Sequence, residues 1–234
     1  MILAAGRGER MRPLTDSVPK PMLVAGGKPL IVWMIEALKR AGVTGIVINH
    51  AHLGQIIETG LGDGAAFGVD LRYSRERVAL ETAGGIRQAL PLLGPEAFLV
   101  VNGDVHTDYD LSALVDAART LRRDGPIAHL VMVENPAHHP AGDFSMEGNV
   151  LRAASGDTAT FSGMGAYHPA IFESLVAGEK AKLAPLLRIP MSEGRVTGTL
   201  HRGFWTDVGT PERLSELDRR LTENAGRHGA CGSL

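Results

Sequence analysis

Short apolar runs rich in β-branched residues alternate with amphipathic segments of helix length along the first two thirds of the chain. This alternation is typical of a mostly parallel sheet that is covered by helices on both faces. We therefore predict an α/β, Rossmann-like fold with a mostly parallel central sheet. The strands expected from the pattern are Met1–Ala5, Ile46–His50, Val69–Tyr73, Phe98–Asn102 and Ile127–Val133.

The helices between these strands are indicated by apolar residues at helical spacing and by residues that start or stop helices. In the first helix, Pro29 suits the opening turn and Gly42 offers a C-terminal cap. The next helices are expected at Leu53–Leu61, Gly84–Leu93 and Leu111–Arg123.

After Val133 the pattern changes to that of a small β-rich extension, which we expect to bind a substrate. Two strands that flank Glu147-Gly148-Asn149 resemble a hairpin. The elements expected here are strands at Asp143–Met146, Val150–Ala153, Phe161–Tyr167, Thr197–Leu200 and Phe204–Val208, and helices at Pro169–Leu175, at Leu183–Ser192 and from Pro211 onward.

Composition limits the classes of protein to which the chain can belong. Apolar residues make up 44% and charged residues 21%, as in soluble globular proteins. No apolar run approaches the roughly 18 residues of a membrane helix, so we expect a cytoplasmic protein without a membrane partner. The single cysteine, Cys231, excludes an intramolecular disulfide and a cysteine metal cluster. A net charge of −2 argues against nucleic acid as a partner.

No linker or change in composition divides the chain, so we predict one domain over residues 1–225. Within this domain, residues 1–133 would form the α/β half with the parallel sheet, and residues 134–225 would form the smaller, β-rich half. Residues 226–234 are expected to form a flexible tail.

A glycine-rich turn with basic residues follows the first predicted strand. Gly6 and Gly8 would let backbone N–H groups approach anion oxygens that a Cβ would hold away. Pro19 and Pro21 restrict the backbone on both sides of Lys20 and so present the lysine in one direction. These features predict a site for a small polyanion, although the two glycines alone suit a tight turn equally well. The segment reads Leu3-Ala4-Ala5-Gly6-Arg7-Gly8-Glu9-Arg10-Met11-Arg12-Pro13-Leu14-Thr15, then Pro19-Lys20-Pro21.

Two other phosphate-binding motifs do not fit this turn. The dinucleotide-binding fingerprint needs a third glycine where Met11 stands. The P-loop needs a lysine followed by a serine or threonine, and that pair is absent from the turn.

Two aspartates stand where predicted elements meet. Asp104 follows the apolar run Phe98–Asn102, and ligands of open α/β sheets bind beyond the C-terminal ends of strands. A helix cap is an equally good reading of Asp104 taken alone. Asp207 precedes the last predicted helix, in Trp205-Thr206-Asp207-Val208-Gly209-Thr210-Pro211.

The glycine-rich segment together with Pro19-Lys20-Pro21 resembles the signature of the sugar-1-phosphate nucleotidylyltransferases. The resemblance implies that Arg10 and Lys20 contact phosphates, and that Asp207 matches an aspartate of the family. Since Mg²⁺ beside phosphates is usually held by one or two carboxylates, we expect Asp104 and Asp207 to bind this cofactor. The loop residues implied to wrap a nucleoside triphosphate are Ala5, Gly6, Arg7 and Gly8.

The resemblance also implies that Leu80-Glu81-Thr82-Ala83-Gly84-Gly85 surrounds the base and ribose. Gly84 and Gly85 would let backbone groups touch the base edge, with Glu81 and Thr82 beside them. Thr82 could equally cap the helix. The base remains open on these residues, because the glutamine of many pyrimidine-specific members is missing and several guanylyl-transferring members carry a similar Thr-Ala-Gly.

Later segments resemble the N-acetylmuramate 1-phosphate uridylyltransferases of bacterial cell-wall recycling. This subfamily pattern implies that Asn102 and Asp143 contact the sugar and that Ser162 and Gly163 line its pocket. The two halves would then bind the nucleotide and the sugar respectively. The segments that carry the resemblance are Val101-Asn102-Gly103-Asp104-Val105, Asp108-Tyr109-Asp110, Asn135-Pro136, His138-His139-Pro140 and Gly142-Asp143-Phe144.

We therefore expect a magnesium-dependent enzyme that uses UTP and a sugar 1-phosphate, and no protein partner is evident. The alternatives are guanylyl transfer to mannose 1-phosphate or a heptose 1-phosphate, and a noncatalytic nucleotide-sugar sensor. A sensor would be free to lose the residues that bind metal and phosphate. This sequence keeps all four of them, which favours an enzyme: Arg10, Lys20, Asp104 and Asp207.

The paired histidines His138 and His139 admit three readings. Adjacent side chains in an extended segment point in opposite directions, which disfavours a shared zinc ion. Contact between an imidazole and the substrate, or simple exposure to solvent, are the other two.

Overall fold

Helices and strands alternate along the chain in the computed structural model, which describes residues 1–153 and 156–230. The α-helices are α1 (Leu30–Arg40), α2 (Gly54–Leu61), α3 (Glu81–Leu93), α4 (Leu111–Thr120), α5 (Leu183–Ser192) and α6 (Pro211–Ala230). The strands are β1 (Ile2–Leu3), β2 (Val24–Ala25), β3 (Lys28–Pro29), β4 (Gly45–His50), β5 (Asp70–Arg75), β6 (Phe98–Asn102), β7 (Val105–Thr107), β8 (Ala128–Val133), β9 (Phe144–Glu147), β10 (Val150–Ala153), β11 (Thr158–Tyr167), β12 (Val196–His201) and β13 (Trp205–Asp207).

A nine-stranded sheet runs through the molecule in the order β5-β4-β1-β6-β11-β8-β12-β10-β9. The neighbours β5, β4, β1 and β6 are parallel, and so are β8 and β12. Only β10 and β11 run against the rest of the sheet. The prediction of an α/β fold with a mostly parallel central sheet is confirmed. Small two-stranded sheets, β13-β7 and β2-β3, stand beside it.

Helices cover both faces of the sheet because successive strand residues point to opposite sides. In β6, Leu99 and Val101 pack into the core that contains α1, α2 and α4. Phe98 and Val100 pack into the opposite core, which contains α3 and α5. Both faces of β6 are therefore buried, which explains why residues 98–101 are a continuous apolar run.

The C-terminal half of the chain inserts into the sheet of the N-terminal half. β11 lies between β6 and β8, so one continuous sheet holds strands from residues 1–133 and from residues 134–225. α6 packs Leu217 against a third cluster with Met11 and Leu23 from the N-terminal segment. This packing brings the turn before α6 close to the glycine-rich turn.

The predicted elements differ from the structure mainly at their ends. β1 ends at Leu3 rather than at Ala5, because the Ala4 N–H donates to the Asn49 side chain at 3.0 Å instead of to a neighbouring strand. α3 begins at Glu81, before the predicted start at Gly84. The short strands β2, β3 and β7 were not predicted.

α6 extends to Ala230 and so continues into the segment expected to be a flexible tail. Cys231 and the rest of residues 231–234 lie outside the described part of the chain. Within the described residues, no helix is both long and apolar enough to cross a lipid bilayer.

Candidate active site

The glycine-rich turn is shaped by the conformation of Gly8 and by two hydrogen bonds to the Gly8 carbonyl oxygen. Gly8 has a φ of 66°, and a Cβ there would lie 3.1 Å from Cβ of Lys20 and from Cγ2 of Thr15. Its carbonyl oxygen accepts from the Thr15 hydroxyl and from the Met11 N–H, both at 2.9 Å. A side chain at position 8 would therefore strain the backbone and push against Lys20. At Gly6, by contrast, a Cβ would meet open space.

Lys20 lies in a single 3₁₀ turn that follows Pro19, and its side chain reaches across to Asp104. The two form an ion pair in which the side chains are 14% and 22% exposed. Lys20 is therefore held at the C-terminal end of β6, at the edge predicted for the anion site.

Asp104 and Asp207 are brought together by the small sheet of β7 and β13. Asp207 lies opposite Val105 in this antiparallel pair. The Val208 N–H donates to the Asp104 carbonyl oxygen at 2.9 Å. The structure thus places the backbones of the two aspartates next to each other, although they are far apart in the sequence.

Cationic side chains surround this carboxylate pair. Arg213, in the first turn of α6, forms an ion pair with Asp207. A Cβ built on Gly209 would collide with the Arg213 guanidinium and lie 3.0 Å from Nη2 of Arg10. Lys20 and Arg213 therefore each neutralise one of the two aspartates, and the absence of a side chain at Gly209 makes room for the guanidinium groups of Arg213 and Arg10.

The donor set fits a divalent cation beside phosphates. Asp104 and Asp207, whose backbones are adjacent, offer carboxylate oxygens, and hard oxygen ligands of this kind suit Mg²⁺. Among residues 1–153 and 156–230, no group of three or more His, Cys, Asp or Glu side chains is placed to hold a metal. A cation bound here would therefore take its other ligands from substrate oxygens and water.

A cavity of about 550 Å³ opens between the glycine-rich turn and the start of α3. Its volume suits a small organic ligand. Nine of the predicted site residues line it, namely Ala5, Gly6, Gly8, Arg10, Lys20, Glu81, Thr82, Asn102 and Asp104. Asn49, Ala79, Glu9 and Lys180 also line it and were not predicted.

A second cavity, of about 320 Å³, adjoins the first and shares Leu3, Glu81, Thr82 and Asn102 with it. Asp143 and Gly163, two residues that the subfamily resemblance assigns to the sugar site, line it. Its remaining lining residues are mostly apolar and come from β6, β9, β11 and α5: Val100, Phe144, Phe161, Tyr167, Lys182, Leu183, Ala184 and Leu187.

The glycines of α3 line neither cavity, so the structure gives no support to the prediction that they touch a base. Gly84 and Gly85 are buried. A Cβ on Gly84 would collide with the Glu179 carbonyl oxygen, and one on Gly85 would lie 2.7 Å from Oε1 of Glu76. Glycine is needed here because other parts of the chain pack against the helix.

Three further predicted residues line neither cavity. Asp207 is one of them, and its carboxylate forms an ion pair with Arg213 and lies 3.3 Å from Nε2 of His138. Ser162 is buried, and its hydroxyl donates to the Val131 carbonyl at 2.6 Å, so its role is in the strand and not in the pocket. Arg7 is exposed and is absent from both cavity linings. Gly163, by contrast, has a φ of 81°, and a Cβ there would collide with the Asn102 amide.

A buried polar network that was not predicted joins the end of β1 to the loop before α3. Oδ1 of Asn49 accepts from the Ala4 N–H, and its Nδ2 donates to Glu76 at 2.7 Å. The other Glu76 oxygen accepts from the Leu80 N–H at 2.9 Å. Burial raises the pKa of Glu76, although these two donors oppose the shift. The only sequence signal was an asparagine inside an otherwise apolar strand.

The paired histidines lie beside predicted site residues but line neither cavity. Nε2 of His138 is 3.3 Å from Asp207 and 3.0 Å from Nη1 of Arg213. Nε2 of His139 is 3.1 Å from Asp143. The two imidazoles therefore contact different carboxylates, and they do not share a metal site.

Comparison with known proteins points to one family. The family model described as Nucleotidyl transferase matches residues 1–224. The N-acetylmuramate alpha-1-phosphate uridylyltransferase of Neisseria meningitidis serogroup B is 57% identical over 220 residues, which are 92% of this chain and 95% of the relative.

More distant relatives share the fold. The mannose-1-phosphate guanylyltransferase of Mycobacterium tuberculosis is 28% identical over 220 residues, 91% of this chain but 61% of that protein. A Bacillus anthracis structure assigned as a glucose-1-phosphate thymidylyltransferase superposes with a TM-score of 0.83 at 21% identity, covering 94% of each chain. At that identity the likeness concerns the fold alone.

Proposed function

Because this chain belongs to the nucleotidyl transferase family, we propose that it transfers the uridylyl group of UTP to N-acetylmuramate 1-phosphate, giving UDP-N-acetylmuramate and pyrophosphate. The observation that carries the proposal is the 57% identity, over nearly the whole of both chains, to an N-acetylmuramate alpha-1-phosphate uridylyltransferase. The geometry agrees with it, since two adjoining cavities share Asn102, Glu81 and Thr82, and Asp104 lines the first of them.

The reaction needs no general base on the protein. A sugar phosphate is already an anion near neutral pH. One of its oxygens attacks the α-phosphorus of UTP, the bond from that phosphorus to the bridging oxygen breaks, and pyrophosphate leaves with the electron pair. The protein must hold two anions in line and neutralise the charge that moves between them.

The cations of the first cavity suit this task. Lys20 and Arg10 line the cavity and would neutralise phosphate oxygens as the bond to pyrophosphate breaks. The backbone at Gly6 leaves room for phosphate to approach N–H groups, and both Gly6 and Gly8 line the cavity. Asp104 and Asp207 would hold Mg²⁺, which when bound supplies positive charge to the phosphate oxygens in the transition state.

Glu81 and Thr82 face the first cavity at the N-terminal end of α3, where we expect the base and ribose to bind. Glu81 has a φ of 62°, a conformation that residues other than glycine rarely adopt. Such strain is frequent at ligand sites. We propose that the backbone around Glu81, rather than Gly84 and Gly85, reads the base.

The proposal is tested by pyrophosphate release with UTP and GTP, each combined with N-acetylmuramate, N-acetylglucosamine and mannose 1-phosphates. We expect UTP with N-acetylmuramate 1-phosphate to give the highest kcat/KM, and activity to require Mg²⁺. Tenfold faster turnover of GTP with any of the sugars would instead establish the guanylyl alternative. No pyrophosphate from any combination, with nucleotide sugars still bound, would indicate a sensor.

A further inference from the structure

A short segment before α5 is fixed by backbone hydrogen bonds to the start of α3. The Ala181 carbonyl oxygen accepts from the N–H groups of Ala83 and Gly84, at 2.9 and 3.1 Å. The Ala181 N–H in turn donates to the Leu80 carbonyl at 3.0 Å. The close approach of this segment to Gly84 is the reason why a side chain cannot be accommodated there.

Because Ala181 is held on one side, its two neighbours in the chain reach the cavities. Lys180 lines the first cavity and Lys182 lines the second. Lys182 directly precedes α5, whose residues Leu183 and Leu187 form part of the same wall. The backbone contacts with α3 thus give Lys182 a defined position although its side chain is exposed.

Lys182 provides the positive charge of the second cavity. The other charged side chains that line this cavity are the carboxylates Glu81 and Asp143. Asp143 is already engaged, with His139 at 3.1 Å and with the Phe161 N–H at 2.8 Å. Among the described residues, no ion pair or hydrogen bond occupies the Lys182 ammonium group.

The 1-phosphate common to all these substrates is expected near Lys20 and Arg10 in the first cavity, so only an acidic sugar ring would bring a further negative charge to Lys182. N-acetylmuramate differs from N-acetylglucosamine by a lactyl ether that carries a carboxylate and a methyl group. The second cavity offers the Lys182 ammonium group to the carboxylate, and apolar side chains such as Phe144 and Leu187 to the methyl group. The histidines that could have met this carboxylate do not line the cavity.

We propose that Lys182 is a specificity-determining residue that binds the carboxylate of an acidic sugar 1-phosphate in the second cavity. The inference rests on the proposed function, since it assigns a role to this cavity in the same reaction. A hydrogen bond between charged groups is worth enough to change kcat/KM by about 10- to 100-fold.

The test compares wild type with Lys182→Met, which keeps the length of the side chain and removes its charge. We expect kcat/KM for N-acetylmuramate 1-phosphate to fall about 10- to 100-fold, mainly through KM, while kcat/KM for N-acetylglucosamine 1-phosphate stays within about twofold. Lys182→Glu should lower kcat/KM for N-acetylmuramate 1-phosphate further, because the introduced carboxylate would repel the carboxylate of the sugar. Arg188→Met is the matched control, because Arg188 is exposed on α5, the helix that Lys182 precedes, and lines neither cavity.

Binding of the two UDP-sugars, measured by titration calorimetry, gives a readout that does not depend on turnover. Lys182→Met should weaken UDP-N-acetylmuramate and leave UDP-N-acetylglucosamine unchanged. An equal loss for both sugars, or no loss for either, would overturn the role of Lys182 and leave the proposed function standing. A wild-type enzyme that does not prefer the acidic sugar would overturn both.

Discussion

The backbone N–H of Val208 donates to the carbonyl oxygen of Asp104 at 2.9 Å, and this bond joins the two carboxylate-bearing segments of the site. Asp207 precedes Val208, so strand pairing fixes its backbone next to that of Asp104, while separate ion pairs with Arg213 and Lys20 hold the two carboxylates. The position of each carboxylate should therefore tolerate a change in the other.

Replacing either aspartate by asparagine tests the proposed metal site. Asp104→Asn and Asp207→Asn should each keep the fold and nearly abolish turnover at millimolar Mg²⁺, because a neutral amide is a weaker ligand for a hard cation. The double variant should be scarcely worse than either single one, since the two act as a unit. The measurement is kcat over a Mg²⁺ titration.

Asp110→Asn is the control for this pair, because Asp110 caps α4 and asparagine caps helices equally well. It should behave like wild type. Near-normal kcat in one of the two single variants would remove that aspartate from the metal site.

Lys20→Ala tests charge neutralisation in the first cavity. We expect transition-state stabilisation to fall by about 2–4 kcal/mol, the scale for loss of one preorganised charge-stabilising group. The measurement is kcat/KM from pyrophosphate release, with Lys39→Ala as control because Lys39 is exposed on α1 and lines neither cavity. If Lys20→Ala keeps full activity and only lowers stability, the lysine serves the fold alone.

Glu76→Gln tests the buried network between β1 and the loop before α3. Both Glu76 oxygens accept hydrogen bonds, so a glutamine amide must point its NH₂ group at another donor. An unsatisfied buried donor costs about 1–3 kcal/mol in the free energy of unfolding. Because Leu80 leads directly into Glu81 and Thr82, KM for UTP should rise as well.

Denaturant unfolding and substrate titration measure these two effects. The exposed Glu134→Gln serves as control and should change the free energy of unfolding by about 0.5 kcal/mol or less. Unchanged stability in Glu76→Gln would mean that the network is dispensable.

Glu58 gives a prediction for the pH dependence of stability. Its pKa is lowered from 4.5 to about 2, chiefly by the hydrogen bonds from Arg75, with His50 adding to the effect. A lowered carboxyl pKa contributes stability above the unfolded value, and this stability is lost as pH falls from 4.5 towards 2. The free energy of unfolding of wild type should therefore fall more steeply over this range than that of Glu58→Gln.

Arg75→Gln should show the same flattened dependence, because it removes the largest cause of the shift. Unfolding free energies between pH 5 and pH 2.5 measure the slopes. Parallel slopes for wild type and both variants would contradict the assignment.

The alternation of apolar strands and amphipathic helices was sufficient to predict the α/β fold. A strand that is buried on both faces of a sheet consists of consecutive apolar residues, and this can be seen within the segment itself. The ends of β6 and α5 were also predicted from the sequence, since their bounds at Phe98–Asn102 and Leu183–Ser192 match the prediction. The end of β1 could not be predicted, because it depends on the Asn49 side chain from another strand.

Within the candidate site, the sequence by itself determined what depends on local geometry: a glycine turn that can approach an anion, and a lysine held between two prolines. Tertiary structure decided which residues face the cavities. Gly84 packs against the segment at Ala181 instead of against a ligand, and that same contact places Lys182 at the second cavity. The direction of a side chain depends on which distant strand or loop packs beside it. The spacing of residues within one segment cannot show which distant part of the chain that is.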